Sequence, residues 1–394
     1  MTGCVLMLSA AHPPDDIRIV AKEGAALAAA GHRVIHLAPG DPPAPVLHGV
    51  ALHSHGPKRR GWRGRVLGIA ALARAAAAQR PAVIHAHEPD SWAAARLAAW
   101  RCGARMVLDV HEHYPSRLDP RLPRALRPLG RAALTALCRL LALGADAVVV
   151  AKDGLDDAFG GEARCTRVRN YAGDPGIPPR IHAPGPLRLL HLGALGASRG
   201  AFTMLDALAL LPADARLVLV GRFTDGSEAA FDARAAALDV AHRIEKHGWL
   251  PREAALAEAA RCDIALVLFQ PGVENHRLAL PHKLFDAMLL GLPVIVPDFA
   301  EEVLDVVAAA GCGLAVDTAD ARAVAEAALR LRDPALRAEL GACGRAAALT
   351  RFGWPAEAAR LVALYARLLP GGATASPRPS SLPHPAGAAA SDGG

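Results

Sequence analysis

The chain repeats one local pattern along most of its length, in which a short apolar run and a loop precede an Ala- and Leu-rich stretch with helical spacing. Residues 5–8 form the first apolar run, residues 18–30 the first helical stretch, and residues 33–37 the next run. Gly31 suits the position just after a helix, where a left-handed backbone favours glycine. This alternation is typical of parallel βαβ units, so it predicts a doubly wound α/β fold.

The pattern is interrupted once, which indicates two domains. Residues 172–186 read AGDPGIPPRIHAPGP, with many prolines and glycines and no apolar periodicity, and a new series of runs starts at residue 187. We therefore place the interdomain linker in this segment. The predicted parts are a Rossmann-like domain at 1–178, a second at 179–350, a further helix at 351–370, and a disordered Ala-, Pro- and Ser-rich tail at 371–394.

Composition excludes several other classes of protein. The hydrophobic fraction of 52% with 21% charged residues is too apolar for a disordered chain, and the glycines and prolines lack the period of collagen. The seven cysteines are scattered and form no C-x-x-C pair, which favours a reducing compartment. The longest apolar stretch, residues 132–150, contains Arg139 and Asp146, so no membrane-spanning helix is expected. We expect a cytoplasmic protein.

Tandem doubly wound domains predict a ligand cleft at the carboxyl ends of the strands. In the second domain, the run that ends at Leu192 continues into GALGASRG, residues 193–200, before a helix. Small residues let a phosphate approach the backbone and Arg199 adds positive charge, so Gly193 and Arg199 form a candidate anion site. The alternative is a plain connection between strand and helix. Arg222 follows the next strand and is either a second phosphate contact or a solvated surface arginine.

A second candidate site lies on a short helix that is predicted to start at Pro281. Lys283 and Asp286 are one helical turn apart on it. A carboxylate there can hold ribose hydroxyls, and a lysine can meet a diphosphate. Taken alone, an exposed ion pair is the simpler interpretation.

These motifs together resemble the retaining family 4 glycosyltransferases of the GT-B fold. KLFDAMLLGLPVI (283–295), with GALGASRG before it, is similar to the second domain of that family, and LDVHEHYP (108–115) resembles a first-domain strand that ends in a His–acid pair. RFGWPAEAARLVALYARLL (351–369) is similar to the family's C-terminal helix. The resemblance implies two Rossmann-like domains that face each other across a cleft, with the C-terminal helix crossing back to the first domain.

The resemblance also implies a donor site on the second domain for a nucleotide-diphosphate-sugar of the UDP or GDP type. Arg199, with Arg222 or Lys283, would neutralise the diphosphate, and Asp286 would hold the ribose. The backbone near Trp249 and Leu250 would contact the base.

On the first domain, the resemblance implies that His111 contacts the transferred sugar or assists the leaving group, with Glu112 in support. A capping or surface role is the alternative for this histidine. The loop from His12 to Asp16 would approach the donor phosphates and the acceptor hydroxyl.

The sequence departs from the family at one position of a glutamate pair. Relatives have two glutamates separated by seven residues; the second corresponds to Asp286, and Leu278 occupies the first position. Glu274 or Asn275 is expected to reach the donor sugar instead.

No metal or cofactor is expected. The sequence contains no D-x-D motif, so cationic side chains and helix dipoles would stabilise the leaving phosphate. A rival interpretation is that AHPPDD (11–16) resembles the AHPDDE zinc signature of N-acetylglucosaminyl deacetylases, although one proline is inserted and Ile17 replaces the glutamate. His85 with His87, or His111 with His113, would be further metal pairs. A third alternative is a non-catalytic, sugar-nucleotide-binding relative of the same fold.

Basic residues on the first domain suggest its partners. GPKRRGWRGR, residues 56–65, places five cations around Trp62 in a predicted loop, and Arg124, Arg127 and Arg131 precede an apolar helix. Such a surface suits anionic lipid headgroups at the inner face of a membrane, with a solvated basic face as the alternative. We expect a glycan, lipid-linked or small-molecule acceptor. With 4% aromatic residues and no stacking platform, no nucleic acid is expected.

Overall fold

The structure is a computed structural model that describes residues 3–59 and 61–369. Within these residues the chain forms two separate sheets with helices packed on them, in the order that alternating strands and helices predict. The predicted disordered tail at 371–394 lies outside the described residues. None of the described helices combines the length and the apolar character that a membrane span needs.

The described strands divide between the two sheets in chain order. The first sheet contains β1 (Cys4–Leu8), β2 (Arg33–Ala38), β3 (Val46–Leu47), β4 (Val50–Ser54), β5 (Val83–Ala86), β6 (Arg105–Val110), β7 (Ala147–Val150) and β8 (Cys165–Arg167). The second contains β9 (Arg188–Leu192), β10 (Arg216–Val220), β11 (Ile244–Gly248), β12 (Ile264–Leu266), β13 (Val294–Pro297) and β14 (Gly313–Val316).

Helices connect most of these strands. The described α-helices are α1 (Ala25–Ala29), α2 (Gly61–Ala78), α3 (Pro89–Cys102), α4 (Arg127–Ala142), α5 (Ala201–Leu210), α6 (Glu228–Ala237), α7 (Arg252–Ala259), α8 (Glu274–Arg277), α9 (His282–Leu289), α10 (Glu301–Ala310), α11 (Ala321–Arg330), α12 (Pro334–Thr350) and α13 (Trp354–Leu368). Short 3₁₀ turns lie at Tyr114–Arg121, Arg124–Leu126, Asp157–Phe159, Gly161–Ala163, Ala197–Arg199 and Ala241–Arg243.

Both sheets have the doubly wound order that was predicted. The strand order is β3-β4-β2-β1-β5-β6-β7-β8 in the first sheet and β11-β10-β9-β12-β13-β14 in the second. All neighbours pair in parallel except β3 and β4. The order reverses between β1 and β5 and between β9 and β12, and such switch points open a crevice at the carboxyl ends of the strands.

The C-terminal helix packs against the first sheet. Leu361, Leu364, Tyr365 and Leu368 of α13 are buried in a cluster with residues of β1, β2 and β5. Each buried leucine contributes about 1.5–3 kcal/mol relative to an exposed one. The Tyr365 hydroxyl also lies 3.0 Å from His85 Nδ1 at the sheet. The helix therefore crosses back to the first domain, as the resemblance implied.

Two local predictions differ from the structure. The stretch predicted as one helix at 18–30 begins as a π-helix, Ile17–Gly24, and only its end is α1. Its wider turn places Arg18 and Glu23, five residues apart, face to face, with NH2 2.8 Å from Oε1. The basic segment 56–65 was predicted as a loop, but α2 begins within it at Gly61. Nothing in that segment's composition is typical of a helix start.

Candidate active site

A buried carboxylate organises the carboxyl edge of the first sheet. Asp109 is the last but one residue of β6 and is fully buried. Its Oδ2 accepts hydrogen bonds from His111 Nε2 at 2.7 Å and from His87 Nδ1 at 3.2 Å. Arg18 donates to both carboxylate oxygens, from Nε at 3.1 Å and from NH2 at 3.0 Å. His111 and His87 are thus held side by side where β6 and β5 end.

Electrostatics keep this carboxylate ionised. Burial raises the pKa of Asp109, but the charge of Arg18 and the hydrogen bonds of both histidines outweigh it and hold that pKa well below its ordinary value. Burial lowers the pKa of His87, so this imidazole is neutral. An ionised Asp109 can only accept a hydrogen bond, so the proton of a neutral His111 ring lies on Nε2. Nδ1 of His111 then has no hydrogen-bond partner among the described residues. Nδ1 is the atom that is free to meet a substrate.

Hydrogen bonds hold the loop after β1 next to His111. The Glu88 carboxylate accepts the backbone N–H groups of Ala10, Ala11 and His12, each at 3.0 Å. His12 Nδ1 lies 3.0 Å from Asp16 Oδ2, and the His12 and His111 ring centroids are 5.0 Å apart. Burial lowers the pKa of His12, but the hydrogen bond to Asp16 and the charge of Glu88 outweigh it and raise that pKa. The structure therefore brings the predicted residues His12, Asp16 and His111 together.

A group of possible metal ligands lies beneath these residues. Glu23, His85, His87 and Asp109 place ligand atoms within 4.8 Å of one another. The His85 and His87 rings, however, stack with planes only 20° apart. An imidazole binds a metal through the lone pair in its ring plane, so near-parallel rings do not direct both lone pairs at one ion. With Arg18 paired to both carboxylates, this group fits a charge-balanced polar core better than a metal site.

The loop between β9 and α5 faces the cleft from the second domain. Gly200 begins α5 with a φ of +81°, and a Cβ there would lie 2.4 Å from the Leu268 carbonyl oxygen, so only glycine fits. No side chain caps α5: the Ala201 N–H donates to the Gly196 carbonyl at 3.2 Å, and the N–H groups after it have no side-chain acceptor. Gly193 belongs to the same loop, and its carbonyl packs against Gly221 after β10. These contacts shape the loop as an anion site requires.

Two cations accompany this loop. Neither Arg199 nor Lys283 forms a hydrogen bond or an ion pair with another described residue; Lys283 Nζ lies 5.5 Å from the Phe269 ring centroid. Burial, and secondarily the charge of Arg199, lowers the pKa of Lys283 to about 7. Their mutual repulsion shows that the two charges are close. The two cations therefore have no ion-pair partner among the described residues, although the charges of Glu112 and Asp225 act on Arg199.

Asp286, predicted to hold a ribose, already has partners. Arg252 NH2 lies 2.7 Å from Asp286 Oδ1, and His282 Nδ1 lies 2.8 Å from Oδ2. Burial raises the pKa of Asp286, but His282 and Arg252 outweigh it and lower that pKa to about 2. A ribose hydroxyl would have to share this carboxylate with Arg252.

The remaining donor-side predictions lie at the rim of the second domain. Trp249 is exposed and Arg222 stacks over its ring, 5.2 Å from the centroid. Leu250 packs against the core of the second sheet. Glu274 is paired with Arg277 at 2.6 Å. On the first domain, Trp62 of the predicted basic segment lies in α2, but its side chain is outside the described part of the structure.

The loop that carries His111 in the first domain lies near the loop at residues 193–200 in the second domain. The carboxylate of Glu112, two residues after β6, acts on the pKa of Arg199, so the loop that carries His111 lies close to the candidate anion site. Lys152, two residues after β7, is buried, and its charge, like those of Arg199 and Lys283, acts on the pKa of His276. Three cations from both domains thus surround the cleft.

Comparison with known families assigns both halves of the chain. Residues 18–168 match the model of a glycosyl transferase 4-like domain, and residues 186–333 match the model of glycosyl transferases group 1. The chain belongs to the glycosyltransferases, with a 4-like first domain and a group 1 second domain. It is an enzyme that transfers a sugar, and neither match supports the deacetylase alternative.

Solved structures share the architecture of this glycosyltransferase. HepE of Anabaena, solved in complex with UDP, is 16% identical with a TM-score of 0.69 and covers 93% of this chain and 100% of its own. Sucrose-phosphate synthase of Thermosynechococcus elongatus is 19% identical with a TM-score of 0.75, covering 93% and 99%. The galactosyltransferase WaaB is 12% identical with a TM-score of 0.63, covering 92% and 99%. At such identities the likeness shows the fold, which is GT-B. No curated protein matches this sequence.

Sequence reasoning missed several residues of this site. Asp109, Glu88 and Lys152 were not among the predicted site residues. One signal could have found all three: a charged residue inside a buried parallel strand, or one or two residues after it, lies at the ligand edge of its sheet. Asp109 lies within β6, and Glu88 and Lys152 come two residues after β5 and β7.

Proposed function

We propose that this glycosyltransferase takes its sugar from a nucleotide-diphosphate-sugar of the UDP or GDP type that binds on the second domain. In the reaction, the bond from C1 of the sugar to the diphosphate breaks with its electron pair leaving on the phosphate. The acceptor oxygen forms the new bond at C1, and its proton passes to the leaving phosphate or to His111. We propose retention of the anomeric configuration.

The observation that carries this proposal is the pair Arg199 and Lys283. Two nearby cations without a carboxylate partner destabilise each other, and a diphosphate would neutralise both. The N–H groups at the start of α5, which no side chain caps, favour the same anion. HepE of Anabaena, which has this fold, was solved with UDP, which makes UDP the first nucleotide to test.

Calorimetric titration with UDP, GDP and ADP tests the donor site. We expect selective binding of one nucleoside diphosphate, and Arg199→Ala should weaken it by about 1.5–3 kcal/mol, as expected for a charge-assisted contact. Arg234→Ala is the matched control, because Arg234 pairs with Asp206 on the surface of the same domain. Equal affinity in both variants would remove Arg199 from the site.

Turnover is tested separately with the sugar nucleotides of the base that binds. Release of the nucleoside diphosphate in the presence of candidate acceptors would show transfer, and the anomeric proton coupling of the product would show retention or inversion. We propose that no metal takes part, since cations already line the cleft, and so expect EDTA to leave turnover unchanged. Binding without turnover across the panel would favour a non-catalytic relative.

We propose that the first domain approaches an anionic membrane through α4. Exposed leucines lie on this helix and directly after it: Leu129 and Leu140 are 70% and 58% exposed, and Leu143, which caps the helix, is 68% exposed. Surface helices usually present polar residues to water, so these leucines resemble a face that lies on lipid. Residues 117–143 contain six arginines and one acid, which matches an anionic surface. A lipid-linked acceptor would be presented at such a surface.

Cosedimentation with vesicles tests the membrane proposal. Vesicles that contain phosphatidylglycerol should bind the protein more tightly than phosphatidylcholine alone, and the double variant Leu140→Ser, Leu143→Ser should lose binding. Leu329→Ser is the matched control, because Leu329 is an exposed leucine of the second domain. Equal loss in the control, or no preference for the anionic lipid, would contradict the proposal.

A further inference from the structure

We infer that Asn275 is a positioning residue, which holds the loop that carries His111 from the opposite domain. The inference rests on the proposed contact between His111 and the transferred sugar. Asn275 lies on α8 of the second domain, within the segment that sequence analysis expected to reach the donor sugar.

The contact is a two-point match between a side chain and a backbone. Asn275 Oδ1 accepts the N–H of His113 at 2.9 Å, and Asn275 Nδ2 donates to the carbonyl of the same residue at 3.3 Å. Nδ2 also lies 3.2 Å from Ser116 Oγ, which itself donates to the His113 carbonyl at 2.9 Å. A carboxamide presents one acceptor and one donor together, which no carboxylate or hydroxyl can do in this geometry.

The contact with Asn275 restrains the chain on the carboxyl-terminal side of His111. The imidazole of His111 is anchored at Nε2 by Asp109, within the first sheet. The chain then leaves the sheet, and its next fixed point is the backbone of His113, only two residues on. Because His111 lies between the two anchors, the direction of its Nδ1 depends on Asn275 as well as on Asp109.

Leu278, one turn further along, supports the same docking. Its side chain is buried in the hydrophobic cluster of the first domain, with Leu155 and Phe159. Gly154 leaves room for it, since a Cβ on Gly154 would lie 3.2 Å from Leu278 Cδ2. The residue at the position of the missing glutamate therefore packs against the opposite domain, which explains why an apolar side chain suits it.

The same short helix also contacts the anion site. The His276 ring stacks on Phe269 with centroids 4.7 Å apart, and Lys283 lies over that ring. His276 Nδ1 is 3.0 Å from the Gln270 carbonyl. Residues 275 and 276 thus bind the His111 loop and the wall of the anion site, so α8 sets the distance between the two.

Amide hydrogen exchange on the whole protein tests the contact. In Asn275→Ala, the peptide that covers residues 111–116 should exchange at least about tenfold faster, because the His113 N–H loses its acceptor. Arg277→Ala is the matched control: Arg277 lies on the same helix and pairs with Glu274 and Glu301 within the second domain. Exchange equal to that of the control would overturn the inference.

Kinetics then separate positioning from mere docking. Asn275→Ala should lower kcat by about 10- to 100-fold, as expected when a catalytic group is displaced by about 1 Å, and should leave the Kd of UDP within about twofold. Asn275→Gln keeps the carboxamide and should recover part of kcat. Faster exchange with unchanged kcat would overturn the positioning role. A wild-type protein that binds UDP but turns over no donor would overturn the proposed function, while the exchange result would still decide the contact.

Discussion

His111 Nε2 and Asp109 Oδ2 form a 2.7 Å hydrogen bond between residues separated in the chain by Val110 alone. Side chains two residues apart in a strand lie on the same face, so β6 can bury the carboxylate and extend the imidazole beyond the sheet edge. The strand therefore provides one anchor of the imidazole, and the pairing with Asp109 places the proton on Nε2.

Replacement of His111 tests its predicted catalytic role. His111→Ala should reduce turnover by about 10²–10⁴-fold, the usual contribution of a positioned acid or base. UDP affinity should remain within about twofold, because Arg199 and Lys283 are on the other domain. Steady-state kinetics and calorimetry on the same preparation measure both. A variant with full turnover would remove His111 from the reaction.

Lys283 should make nucleotide binding depend on pH. Its pKa is lowered to about 7 in the free protein, and a bound diphosphate should raise it again. Above pH 7, binding must then take up a proton, so UDP affinity should fall by up to about tenfold per pH unit between pH 7 and 9. Over this range the phosphate itself is fully ionised, since its second pKa is about 6.

The control for this pH dependence is Lys283→Met, in which UDP affinity should be weaker but nearly constant from pH 7 to 9. Calorimetry in buffers of different ionisation enthalpy would also report the proton uptake directly. The same slope in the wild type and in Lys283→Met would assign the dependence to another group.

Leu278 should not accept the glutamate that relatives have at its position. Leu278→Glu would bury a carboxylate in the apolar cluster of the first domain, and Leu278→Ala only removes apolar contacts. Removing a buried leucine costs about 2–5 kcal/mol, and an unpaired buried charge costs more. The melting temperature should fall in the order wild type, Leu278→Ala, Leu278→Glu. Equal melting temperatures would show that the domains do not pack here in solution.

Glu302 should make stability depend on pH. It accepts the Asp153 N–H at 3.1 Å and Arg169 Nε at 3.3 Å across the domains, and burial with nearby Asp153 raises its pKa to about 7. The unfolded carboxyl loses its proton near pH 4.5, so stability falls as pH rises from 4.5 to 7, by up to about 3 kcal/mol, and then levels off.

Urea unfolding at several pH values checks this dependence. Glu302→Gln cannot titrate, so its free energy of unfolding should lack the decrease between pH 4.5 and 7. Glu301→Gln, at an exposed neighbour, should behave like the wild type. A decrease of the same size in Glu302→Gln would assign the effect to other carboxylates.

Much of the fold could be predicted because most strands of parallel sheets are buried on both faces. The predicted runs at 5–8 and 33–37 agree to within one residue with β1 and β2, since each is a short apolar run. β11 was missed for the opposite reason. It is an edge strand of sequence IEKHG that is largely exposed, so no apolar run marks it. The π-helix at Ile17–Gly24 has no sequence signal that separates it from an α-helix.

The site could be predicted only where one element carries it. Gly193, Arg199 and Lys283 follow from a strand-to-helix loop and the start of one helix. Two partners of Asp109 come from other segments of the chain, because His87 lies 22 residues before it and Arg18 lies 91 residues before it. The pairing of Asn275 with His113 spans 162 residues and depends on how the two domains dock. Such contacts are set by tertiary packing, which local spacing does not encode.

The return of α13 to the first sheet affects how the enzyme can be recombined with relatives. Residues 351–369 share their core with the amino-terminal half of the chain. A chimera that exchanges residues 179–369 as one block would therefore pack a foreign helix against Val5, Met7 and Val34. A donor-domain swap therefore needs two junctions, one in the linker and one between α12 and α13. Libraries built with a single crossover should yield insoluble protein more often than those with two.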